Sequence, residues 1–174
     1  MSYLLRKISI TKWQPNLTLA PDQFSGDAIT GCIRTSGNTL SVWSSSSDDF
    51  ASDEVEKIVV ALATTMTTPD VIDVVWLDED WLRQHGVDIK SEPGLSKFGS
   101  VNPMHRDLVS INHKQLAIVG KHIVDQYNKA PKTNYKRFSK PALIALVKKW
   151  VEKEDTFKLE DLNEKWIASL NKKK

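Results

Sequence analysis

Val71-Ile72-Asp73-Val74-Val75-Trp76-Leu77 decides the fold. The run is rich in β-branched and aromatic residues, which suit a strand, and its near-continuous apolarity places that strand inside a sheet rather than at an edge. Downstream, Asp78-Glu-Asp-Trp-Leu-Arg-Gln-His85 reads as a short helix stopped by Gly86, with the carboxylates at 78–80 as its cap. Val87-Asp-Ile89 extends the sheet. Upstream, Val55, Ile58, Val59, Leu62 and Met66 recur at helical spacing, and Ser52 stands where a helix cap belongs.

Tyr3 to Ile10 predicts a first strand. Ala28–Arg34 and Thr39–Ser44 are two β-favourable runs around Thr35-Ser-Gly-Asn38, whose Gly and Asn tolerate positive φ, so the spacing predicts a β-hairpin. Ser44 to Asp49 is a polar loop, and Lys90 to Pro103, with two prolines and two glycines, is a longer one. His105 to Asn128 predicts a helix whose main part Asn112 caps. Ser139 opens another helix, with Pro141 in the tolerant first turn, and Thr156 opens a last one. These elements predict an α+β protein: a small mixed sheet with a β-hairpin, packed by helices and followed by a C-terminal helical pair.

Charge divides the chain. Residues 1–128 carry 11 Lys and Arg against 16 Asp and Glu, and residues 129–174 carry 13 against 6, so a total of +2 conceals −5 and +7. The expected organisation is an acidic α+β body over 1–128, a basic linker over 129–138 and a helical pair over 139–174. The basic part either meets an outside partner or docks on the chain's own acidic body. The one cysteine, Cys32, excludes an internal disulfide and reads as a small buried hydrophobe. No segment has the apolar length of a membrane span or a signal peptide, so the expected location is cytoplasmic and no membrane partner is expected.

His105-Arg-Asp-Leu-Val-Ser-Ile-Asn112 fits the protein-kinase catalytic-loop pattern letter for letter. That chemistry also needs a glycine-rich phosphate loop and an Asp-Phe-Gly, and the chain has neither, so the match is read as coincidence. The enzymatic alternative is a cleft in which His105, Arg106 and Asp107 do acid–base work with Arg34 as anion holder. The histidines at 85, 105, 113 and 122 lack metal-ligand spacing, so neither metal nor cofactor is expected.

Trp76 and Trp150 lie in apolar runs and read as core. Trp13 and Trp43 stand beside polar loops, and either cover one end of the core or serve as exposed anchors for a protein partner. In the tail, Lys132, Lys136, Arg137 and Lys140 interleave with Tyr135 and Phe138, followed by Lys148 and Lys149. Cations with interspersed aromatics suit phosphates and stacked bases. The leading functional expectation is therefore a non-enzymatic binding or regulatory protein whose partner is another protein. Its size and missing catalytic apparatus suit an accessory protein of a bacterial or phage immunity, antitoxin or defence system. The alternatives are nucleic-acid binding through the basic region, and a small enzyme using His105, Arg106 and Asp107.

Overall fold

The computed structural model describes residues 3–171. Met1, Ser2 and the last three lysines of the expected basic tail lie outside them. Six strands, β1 (Tyr3–Ile8), β2 (Leu40–Ser45), β3 (Ile72–Asp78), β4 (Asp88–Ser91), β5 (His105–Val109) and β6 (Tyr135–Phe138), form one sheet in the order β4-β5-β2-β1-β3-β6. The α+β class holds, but the expected mixed sheet is wholly antiparallel: all five pairings run that way.

β3 shows why helices must cover both sides of this sheet. Side chains alternate along a strand. Ile72, Val74 and Trp76 enter one apolar cluster, while Val75 and Leu77 enter another. Leu5 and Trp43 join the first cluster. Leu4, Ile8, Leu40, Val42 and Leu108 join the second. The first face is covered by α3 (Asp53–Thr64), α6 (Lys140–Lys153) and α7 (Glu164–Leu170). The second is covered by α1 (Ile10–Trp13), α2 (Gly26–Cys32), α4 (Glu79–Gln84) and α5 (His113–Lys129).

The division at 129–138 is corrected. Residues 135–138 are a strand, paired from Ile72↔Phe138 to Val75↔Tyr135, and not a linker. Phe138, Leu143, Val147, Trp150, Phe157, Leu162 and Trp166 share one hydrophobic interior with Val55, Ile58, Val74 and Trp76. The basic helix lies on the acidic one: Lys149 pairs with Glu56 and Asp53, Lys153 reaches Asp53 at 2.6 Å, and Lys57 reaches Glu154 at 2.6 Å. The charge polarity seen along the sequence is thus partly neutralised within the fold.

Three further segments differ from expectation. Residues 26–32 are helical, because Ser25 caps them by accepting from the Ala28 N–H at 3.3 Å, so the hairpin's first strand is missing. Its turn survives: Gly37 and Asn38 have φ of 56° and 58°, and Ser36 and Thr39 form an isolated bridge. His105–Val109 is a strand, and helix α5 starts only after Asn112, whose side chain accepts from the Lys114 and Gln115 N–H groups. The final helix starts after Asn163 rather than at Thr156. Cys32 is partly exposed and not fully buried. Its sulfur accepts from the Ser9 N–H and from Trp13 Nε1.

The shared interior predicts that the C-terminal helices are needed for the body to fold. Trp150→Ala should cost about 3–5 kcal/mol, the usual loss for truncating a buried Trp. A chain ending at residue 138 should lose its cooperative transition. Urea unfolding followed by far-ultraviolet dichroism and tryptophan fluorescence reads both, and a truncated chain that unfolds as sharply as the full one would contradict the shared core.

Candidate functional site

Several side chains of the basic region prove to be engaged or anchored. Lys149 is held by α3, and Lys148 lies 4.0 Å from Glu152. Phe138 is buried in the first cluster. Tyr135 donates its hydroxyl to Asp73 Oδ1 at 2.6 Å and packs edge-on against Tyr127. Burial, and then the Asp73 carboxylate, push the Tyr135 hydroxyl above its ordinary pKa. Neither aromatic is therefore free to stack on a base, which corrects that part of the nucleic-acid expectation.

Three of the exposed cations converge. An open groove of about 610 Å³ is lined by Lys132, Tyr135, Lys136 and Arg137 on the β6 side, and by Asp48, Asp49 and Phe50 on the facing side. Pro131 and Thr133 close the turn before β6. The facing loop is fixed by local bonds: Trp76 Nε1 donates to the Asp48 carbonyl at 3.0 Å, and the Ala51 N–H donates to Asp49 Oδ1 at 2.8 Å. Lys136 holds its ammonium 5.2 Å from the Phe138 ring centre and 5.8 Å from that of Phe50. Arg137 Nε lies 3.8 Å from Asp73. Among the described residues, Asp48, Asp49, Lys132 and Lys136 form no ion pair, so two walls of opposite charge face one another without closing. The carboxylate wall escaped the sequence reading, which saw only a polar loop. The adjacent Asp48-Asp49 in a serine run was the available signal. Lys140 is exposed just beyond β6 but does not line the groove.

The other sequence candidates do not assemble. His105 and Asp107 sit on β5 with Nε2 and Oδ1 3.9 Å apart, and Nδ1 donates to the Glu92 carbonyl at 2.8 Å. Arg106 spends its guanidinium on the Pro103 and His105 carbonyls. Arg34 lines a separate cavity of about 340 Å³ with Ile29, Thr30, Ile33, Thr35 and Leu116, on the second face. His105 instead packs edge-on against Trp43, which belongs to the first face. The four-residue constellation is thereby divided by the sheet. Trp13 and Trp43 are both buried and cannot serve as exposed anchors. Trp13 packs against Phe24, and Trp43 lies so close to Gly94 that a Cβ there would come within 2.8 Å of it. Among the described residues no group of three or more His, Cys, Asp or Glu is placed to hold a metal ion, and no helix is long and apolar enough to cross a membrane.

Asp78 caps α4, accepting from the Trp81 N–H at 2.9 Å, as its position suggested. Its own N–H donates to His122 Nε2 at 2.8 Å. His122 is buried and stacks on Trp81, whose ring also stacks on His85.

No family model matches the chain, and no curated protein or solved structure matches it either. The residues themselves carry whatever functional argument is made.

His122 generates a pH prediction. Burial pushes its pKa from 6.5 down to about 4. Between these values the unfolded chain binds a proton that the folded chain refuses. Stability is therefore full above pH 6.5 and falls as the pH drops toward 4, by an amount on the order of 3 kcal/mol. Urea midpoints measured from pH 7 to pH 4 should show the slope, and His122→Phe should flatten it. An equal slope in that variant would assign the effect elsewhere.

Proposed function

We propose that the chain is a non-enzymatic binding protein whose contact surface is the groove beside β6, and whose partner is another protein. One observation carries this reading: Lys132 and Lys136 share an open groove with Asp48 and Asp49, and among the described residues none of the four forms an ion pair. Charged groups left unpaired at a surface contribute most to partner choice and to encounter rate. A partner bearing both signs of charge satisfies both walls. A polyphosphate chain satisfies one wall and is repelled by the other. Acid–base catalysis finds less support, because His105 and Arg34 lie on opposite faces of the sheet. The setting in an immunity, antitoxin or defence system is proposed from size and the missing catalytic motifs alone.

A photo-crosslinking residue at position 132 should yield one discrete protein adduct from native lysate, whereas the same residue at position 121, on the exposed side of α5, should not. Lys136→Glu should cut that adduct roughly tenfold, a loss of about 1.4 kcal/mol, while leaving the far-ultraviolet dichroism unchanged. Equal adducts from both positions, or indifference to the charge reversal, would refute the groove as the contact surface.

A further inference from the structure

β6 is the last strand of the sheet, paired only with β3. The ladder geometry fixes which of its backbone groups are left over. The Trp76 N–H donates to the Asn134 carbonyl at 2.9 Å, which makes that opposed pair a hydrogen-bonded one. Bonded and non-bonded pairs alternate in an antiparallel ladder. Val74 with Lys136 and Ile72 with Phe138 are then bonded pairs, and Val75 with Tyr135 and Asp73 with Arg137 are not. The N–H and C=O groups of Tyr135 and Arg137 therefore point off the sheet. All three residues of this edge from Tyr135 to Arg137 also line the groove.

From this geometry we infer that the groove takes an extended peptide of a partner protein as a seventh strand, bonded to the backbone of Tyr135 and Arg137 and carrying acidic side chains against Lys136 and Arg137. The inference rests on the binding reading above and names its mode. Strand addition at a free edge draws affinity from main-chain bonds and specificity from the flanking side chains. Lys136 points to the first face of the sheet and Arg137 to the second, so consecutive acidic residues on an added strand meet one cation each. Asp48 and Asp49 then favour a basic residue further along the peptide. A second copy of this chain is the wrong occupant, because pairing β6 antiparallel with itself sets either Lys136 against Lys136 or Arg137 against Arg137.

The probe is a capped hexapeptide, Thr-Val-Glu-Glu-Val-Thr, added at up to about 1 mM to the full-length chain labelled with nitrogen-15. Amide exchange at Tyr135 and Arg137 should slow about tenfold, while that of Lys136, already bonded to Val74, should change little. The slowing should disappear with Lys136→Glu, with lysines replacing the peptide's glutamates, and with alternate peptide nitrogens methylated. Peptide-induced shifts in the groove without protection of those two amides would overturn strand addition and leave the groove reading standing. Shifts caused by oligothymidylate but not by the peptide would also overturn it, in favour of a nucleic-acid partner. Silence with both probes, together with no crosslinked adduct from position 132, would overturn both inferences.

Discussion

A strand that is apolar on both faces cannot be left half covered, and β3 imposes that requirement on the whole molecule. Ile72, Val74 and Trp76 point one way while Val75 and Leu77 point the other, and all five are buried. Burying such side chains is worth roughly 1.5–3 kcal/mol each, comparable with a large share of a domain's net stability. The chain therefore has to supply helices to both sides. α5 and the small helices near it close the second side. Before residue 139 the first side has α3 with Phe50, Phe98 and Val101 from the loops, and α6 and α7 complete it.

That constraint also accounts for the uneven charge. Asp53 and Glu56 lie in the first turn of α3, where carboxylates suit the positive end of the helix. The same residues meet Lys149 and Lys153 of α6. Solvent-exposed pairs of this kind add little net stability. They do set which way round the second helix lies on the first. A sequence-wide split into acidic and basic parts is thus the trace of two elements made to fit one another. Three of the basic residues that α3 does not use, Lys132, Lys136 and Arg137, line the groove.

Local chemistry was legible where one signal acted alone. Asn112, Ser52, Ser139 and Asp78 all cap helices as their positions suggested, and the helical spacing from Val55 to Leu62 gave α3. It was misread where two signals competed. Ala28–Cys32 has β-favourable residues, but the Ser25 cap starts a helix there. His105–Val109 is compatible with the helix that follows, but sheet pairing with Leu40–Trp43 and Asp88–Ser91 claims it as a strand. Tyr135–Phe138 looked like a linker because its charges hid a four-residue edge strand. Exposed Lys and Arg are the residues that edge strands carry. Trp13 looked exposed because its neighbours are polar, yet the indole is buried with its N–H satisfied by the Cys32 sulfur. The juxtaposition of the groove's two walls could not be read, since Asp48 and Lys132 lie 84 positions apart and are brought together only by the fold.

The same charges on β6 admit two roles, and the open groove is the reason the binding role is the one proposed. Cations on a free edge discourage indiscriminate strand pairing. If that were their whole purpose, an open site with carboxylates on the opposite wall would serve no end, and pairing Asp48 or Asp49 with Lys136 would neutralise both. The facing loop is instead held by its own bonds, with the Trp76 indole fixing Asp48's backbone and Asp49 occupied by the Ala51 N–H. Asp73 lies beneath β6, bonded to the Tyr135 hydroxyl and near Arg137, so the strand's second face is anchored as well. Rigid walls with unpaired charges lose little entropy when a partner enters. On the proposed reading, a guarded edge of this form rejects strands of the wrong charge and still leaves the Tyr135 and Arg137 backbone open to one of the right charge.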